Sequence, residues 1–138
     1  MRAVPVSEVF RPLVEGVGVA SVADVPVADF QCPALVGGGC VLIARLVIAK
    51  GAAAVLVSGQ PILEVAGPYL PAPGPALPGG TNGYAFPATR LVAGGTGLEA
   101  SFIPMETAGG KARVISPDDL PAGSVATYYI PMSWELAG

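Results

Sequence analysis

Cys40-Val41-Leu42-Ile43-Ala44-Arg45-Leu46-Val47-Ile48 is the stretch that decides the fold class. It holds a single charge, it is rich in β-branched residues, and it is too apolar for an exposed surface. The Gly37-Gly38-Gly39 triplet precedes it and Lys50-Gly51 follows it as a turn. The run therefore reads as a core strand, with Ala53 to Val57 expected to return as the second strand of a hairpin. A helix through Leu35 to Ala49 is the competing reading, and the glycine triplet weighs against it. Across the chain Val and Ile outnumber Leu two to one, which favours strands throughout.

Downstream, Ile62 to Val65 reads as another short strand. From Gly83 onward short strands follow at close spacing: Tyr84 to Phe86, Thr89 to Val92, Leu98 to Ile103, Ala112 to Ile115, Val125 to Ile130 and Ser133 to Leu136. Asn82-Gly83, Gly94-Gly95-Thr96-Gly97, Gly109-Gly110 and Pro117-Asp118-Asp119 separate them as turns. This spacing is that of a β-sandwich or small barrel. Four of the nine aromatic residues, Phe102, Tyr128, Tyr129 and Trp134, lie in the last third. Adjacent Tyr128 and Tyr129 face opposite sides of a strand, so at least one of them meets solvent or a partner. The single Trp134 reads as core.

Upstream, valines recur at Val4, Val6, Val9, Val17, Val19, Val22, Val25 and Val27. Pro5, Pro12 and Pro26 cannot donate ladder hydrogen bonds, so residues 1–30 are expected to form an extended arm or edge strands. Residues 31–138 are expected to form a single β-rich domain. Between its strands, Gly67 to Gly80 carries five prolines and four glycines in fourteen residues. Regular sheet or helix is not expected there, and the segment reads as a long surface excursion of extended and turn geometry. It lies on a neighbouring subunit, serves as a peptide ligand for an aromatic groove, or is a passive linker. The expected fold is all-β: a β-sandwich or small barrel with an extended N-terminal arm and a long Pro/Gly-rich loop.

Composition limits function. Seven basic and ten acidic residues make 12% of the 138, half the usual share, while 52% are hydrophobic. A domain of this mass exposes roughly 6,600 Å², which so few charges cover thinly and which favours surface shared with neighbours. The basic residues Arg2, Arg11, Arg45, Lys50, Arg90, Lys111 and Arg113 are scattered, so no nucleic-acid partner is expected. No apolar run reaches the length of a membrane-spanning helix. Glu8, Arg11 and Glu15 interrupt any apolar signal region, so synthesis is expected in the cytoplasm.

Chemistry-bearing residues are sparse. The absence of His excludes Ser-His-Asp and Cys-His catalysis and His-ligated zinc. Cys32 and Cys40 read as small buried hydrophobes, with a disulfide across the Gly-rich loop as the alternative. Asp118-Asp119 is the only paired acidic dipeptide, and Ser116-Pro117-Asp118-Asp119 reads as a turn whose Asp side chains bond nearby backbone amides. Ser58 and Ser101 lack a His to activate them, and nothing around Lys50 or Lys111 marks a pocket. No catalytic residue, metal site or cofactor is expected.

Two functional classes remain: a structural subunit of a large assembly and a small binding module. In small size, Ala/Gly/Val/Pro richness, Val-rich N-terminus and the stretch from Leu120-Pro121-Ala122-Gly123 to Trp134, the chain resembles the small accessory proteins of tailed-phage virions, in particular head decoration or cement proteins. That resemblance implies a β-rich, often trimeric protein that sits on junctions of major capsid subunits and locks the shell, located in the virion. Tail, connector and fibre-base subunits share the same texture. The residues expected to make protein contacts are Val4, Val6, Val9, Pro68, Tyr69, Leu70, Pro71, Tyr128 and Tyr129. Deleting Met1 to Phe30 is expected to weaken assembly more than the fold.

Overall fold

The apolar run from Val41 to Ile48 lies in one of four ten-residue strands of an antiparallel barrel. A computed structural model describes residues 2–21, 30–32, 41–77, 81–92 and 98–136. In chain order the elements are β1 (Arg2–Val4), a single helical turn α1 (Val6–Val9), β2 (Phe10–Pro12), β3 (Val17–Ser21), β4 (Phe30–Cys32), β5 (Val41–Lys50), β6 (Pro61–Val65), β7 (Gly83–Val92), β8 (Glu99–Ala108), β9 (Lys111–Ile115) and β10 (Ala126–Glu135). The hydrogen-bonded order is β1-β4-β5-β10-β7-β8-β9-β6-β2, and β3 pairs with the second edge of β5. Eight strands, from β3 around to β2, thus form a nearly closed barrel. The turn between β2 and β3 spans the remaining gap, with Val17 N–H bonding Val14 O. Gly16 makes that turn at φ +83, and a Cβ there would meet the Ala54 side chain at 2.8 Å.

Alternation in β5 matches a wall with one face buried. Leu42, Ala44, Leu46 and Ile48 point into the barrel, at most 2% exposed, and join Ile62, Ile103, Val114, Tyr128, Ile130 and Met132 in one core. The N-terminal residues belong to this core too: Val6, Val9, Phe10 and Val17 are buried, while β2 pairs with β6 and β3 with β5. Their removal takes interior side chains away, so deletion of residues 1–30 costs the fold itself core packing as well as any contact with partners.

The expected hairpin after β5 does not form. β5 pairs along its whole length with β10, from Val41 opposite Glu135 to Lys50 opposite Ala126. Residues 52–60 instead form a loop in which Leu56 bridges Leu120. The four short strands expected at 84–92 and 125–136 are two long ones, each running through a proline. The reason lies in register. β7 and β10 pair only from Ala126 opposite Val92 to Tyr129 opposite Thr89. Two residues further, that register sets Pro131 against Pro87, and neither can donate a hydrogen bond. The ladder stops there and the two strands part, each keeping its other neighbour.

Over its described residues, 67–77, the Pro/Gly-rich segment is the loop of extended and turn geometry that its composition predicts, and it lies across the opening between β7 and β10. It begins as a 3-10 turn at Gly67–Tyr69, with Tyr69 and Pro71 buried. On one side Ala72 N–H bonds Glu135 O at 3.0 Å, and on the other Gly83 N–H bonds Pro75 O at 2.9 Å. A Cβ on Gly74 would lie 2.4 Å from Gly83 O, so only glycine permits this approach. Trp134 donates Nε1–H to Tyr69 O at 2.9 Å, and its ring packs between Phe10 and Phe86. Residues 67–77 are therefore a loop tied at both sides of the opening.

Candidate functional site

Three groups could carry function: two polar clusters at one end of the barrel, two shallow grooves, and the outer surface of the wall. Lys50 closes the barrel at the end of β5. It is 1% exposed, and its ammonium donates to Gly51 O at 3.1 Å, Pro121 O at 3.1 Å and Ser124 O at 2.6 Å. Three carbonyls replace its water shell, so the side chain fastens the 121–124 loop to β5.

Nearby, Arg90 on β7 pairs with Asp118 at 2.8 Å and with Glu99, while the Tyr128 hydroxyl donates to Asp118 Oδ2 at 2.7 Å. Burial, followed by that bond to Asp118, pushes the Tyr128 phenol far above its ordinary value and keeps it neutral. Asp119 Oδ1 accepts from Ser58 N–H at 2.8 Å. The Asp pair thus differs from the local turn expected of it: both carboxylates reach across to distant chain segments and pin the 116–120 loop. These clusters are structural links, in which Arg90 Nε is the one buried side-chain nitrogen or oxygen among the described residues without a hydrogen-bond partner. Among the described residues no group of three acidic, Cys or His side chains could hold a metal ion.

One groove of about 390 Å³ lies between Leu70, Pro71 and Pro73 and the β8–β9 turn, with Lys111 at its rim. A second, of about 400 Å³, is lined by Leu77, Ala85, Phe102, Pro104 and Ile115 on the outer surface of β7 and β8. Neither brings together an acid, a base and a nucleophile.

The outer wall formed by β5, β10, β7 and β8 stands apart from the rest of the surface. Pairing register sets Val47, Tyr129, Thr89 and Ala100 in one outward row, with Ala49, Thr127 and Leu91 in the row below. Above them come Arg45 and Pro131, then Ile43 and Ser133, with Pro87 and Phe102 continuing the surface on β7 and β8. Ile43, Leu91, Phe102 and Tyr129 are exposed, Phe102 by 56%. Arg45 is the one charge in the body of this surface, and Glu106 and Glu135 stand at its upper end.

The residues expected to make contacts divide between this wall and the interior. Tyr129 lies on the wall, 41% exposed. Tyr128, Val6, Val9, Tyr69 and Pro71 are buried within the chain's own fold, Pro68 is exposed within the 3-10 turn, and Leu70 is half-buried at the first groove. The side chains of Val4 and Cys32, and Cys40 entirely, lie outside the described residues. Ile43, Leu91 and Phe102 were not singled out from sequence. Their signal is the position alternate to each buried residue, and it becomes readable once the inward set is known. Compared with protein-family models, with curated proteins and with solved structures, the chain matches none.

Proposed function

We propose that the chain is a non-enzymatic structural subunit of a large protein assembly, and that the wall β5-β10-β7-β8 is the face covered by other subunits. The observation that carries this reading is the outward row Val47, Tyr129, Thr89, Ala100, which crosses four strands without a charge. Contiguous apolar surface of this kind marks interfaces in soluble proteins. Its burial contributes about 25 cal/mol per Å², and many copies on a lattice turn modest contacts into firm retention.

Sequence texture favours a tailed-phage head as the assembly, with the chain as a decoration or cement protein on major capsid subunits, in the virion. Tail, connector or fibre-base placement uses the same face. A binding module is the second reading. It is favoured by the groove at Leu77 and Phe102, whose volume suits one apolar side chain of a peptide. Density-gradient sedimentation of a producing culture tests the assembly reading. The chain is expected to travel with high-mass particles in many copies per particle, and its confinement to the low-mass fraction overturns the proposal.

A further inference from the structure

Asn82-Gly83 reads as a turn in the sequence, and in the fold it stands where the loop 67–77 meets β7. Asn82 bridges Ala76, and Gly83 begins the strand opposite Glu106. Asn82 is also the only asparagine of the 138 residues. An Asn-Gly pair carries its own chemistry. The Gly83 nitrogen, after losing its proton to a solvent base, attacks Asn82 Cγ; the N–Cγ bond forms, the Cγ–Nδ2 bond breaks, and the amide nitrogen takes up a proton and leaves as ammonia. Water then opens the five-membered imide at either carbonyl. The product is aspartate at position 82 or its isoaspartyl isomer, in which the main chain runs through Cγ. Glycine permits the attack because it has no Cβ to hinder the approach.

The reaction has two requirements: a Gly83 nitrogen released from its hydrogen bond, and a backbone free to curl until that nitrogen meets Cγ. Both are withheld. Gly83 N–H donates to Pro75 O at 2.9 Å, and Asn82 O accepts from Thr107 N–H at 2.8 Å. Thr107 Oγ1 in turn accepts from Gly74 N–H at 3.1 Å, which ties the loop to β8 as well. Gly83 is buried, and a Cβ there would collide with Met105 O, so the backbone has no slack on the β8 side. The Asn82 side chain, by contrast, is exposed, and water reaches its amide. The restraint therefore lies in the backbone, and the bond that occupies the attacking nitrogen comes from Pro75 in the loop.

We propose that Asn82 is a latent modification site, deamidated by the Gly83 amide when residues 67–77 lift off the start of β7, and that the isoaspartyl product keeps them off. That product adds one carbon to the main chain between Asn82 and Gly83, so the bonds to Thr107 and Pro75 can no longer both be made. Opening of the loop is thereby converted into a lasting change, whatever covers the outer wall. The test holds the purified full chain at mildly alkaline pH below its melting temperature and follows the amide-to-acid mass gain, located at position 82 by peptide mapping. The folded chain should react about tenfold or more slowly than the same chain in urea, since local opening is a minor state.

Gly74→Ala, whose Cβ would collide with Gly83 O, pushes the loop off the site and should speed the folded reaction by about threefold or more. Tyr84→Phe removes the hydroxyl that donates to Ala72 O at 2.5 Å and should act in the same direction, so it serves where Gly74→Ala folds poorly. Asn82→Gln should abolish the mass gain. Ile48→Val lowers stability at the other end of the barrel, where Ile48 pairs with Tyr128, and should leave the folded rate unchanged. After conversion, the Ala72 and Gly83 amides should exchange faster than before. Equal rates in buffer and urea, a rate unmoved by both loop variants, a rate raised equally by Ile48→Val, or unchanged exchange after conversion each overturns the proposal.

Discussion

The barrel wall on one side of β8 and the wall on the other share an interior but differ in what they show to water. Across β2, β6 and β9, Arg11 faces Glu64 and Glu64 faces Arg113, which in turn faces Glu106 on β8. This is a ladder of alternating sign whose ion pairs measure 2.8 and 3.2 Å. Across β5, β10 and β7 the equivalent outward positions are Ile, Val, Ala, Tyr, Thr, Ser, Pro and Leu, with Arg45 the one charge in the body and Glu135 at the upper end. A chain that is 12% charged is thus not thinly charged everywhere. Its charges are dense on the β2-β6-β9 side and sparse on the β5-β10-β7 side. Alternating charge also protects a sheet from pairing with copies of itself, and the β5-β10-β7 surface lacks that protection.

Three perturbations sharpen or break the contrast. The largest effect belongs to the interior that both walls share. Trp134→Ala removes the ring between Phe10 and Phe86 and its bond to Tyr69 O, and should cost about 3–5 kcal/mol in urea unfolding. A loss under about 1 kcal/mol would show that the segment 67–77 does not depend on it. Next comes Lys50, the charge buried at the foot of the sparsely charged wall. Lys50→Met leaves the carbonyls of Gly51, Pro121 and Ser124 without their donor and should cost roughly 1–3 kcal/mol, with faster amide exchange in 121–124. Unchanged exchange there would count against the ammonium as the fastener of that loop.

The smallest effect lies on the charged wall and depends on pH. Hydrogen bonds from Arg11 and then Arg113 hold the Glu64 carboxyl below its ordinary value. The folded state binds that proton less readily than the unfolded chain does. Its contribution is therefore present above the unfolded value, near 4.3, and fades as pH falls through the lower folded one. Melting curves of the wild type should drop in this acid range slightly more than those of Glu64→Gln. Parallel curves for the two would mean that the ladder adds no pH-dependent stability.

Much of the barrel was legible in the sequence, and the failures share a cause. β5 could be read because a β-branched apolar run leaves little alternative, β6 and β9 as short apolar runs, and β8 only as far as Ile103, since Pro104 hides its continuation to Ala108. Pro87 and Pro131 read as breaks, yet both strands pass through them, because a missing N–H costs nothing where the facing ladder has already ended. The segment 67–77 reads as a loop by composition. Nothing local reveals that Ala72 N–H bonds Glu135 O or that Trp134 Nε1–H bonds Tyr69 O, since those two partners lie more than sixty residues along the chain. The same holds for the sparsely charged wall: Val47, Tyr129 and Thr89 become neighbours only through register, a relation between strands that no single strand encodes.

The pairing of β5 with β10 also sets a timetable for the chain at birth. Its partner residues lie between 76 and 94 positions apart, and β10 leaves the ribosome after the other nine described strands. Until then the most apolar strand of the protein has one entire edge without a partner, and the ring of strands stays open. Topology of this kind closes in milliseconds to seconds, not microseconds. During that interval the nascent chain exposes the surface most prone to aggregation, so its yield is governed by how quickly its final strand arrives and by chaperones that shield β5 meanwhile.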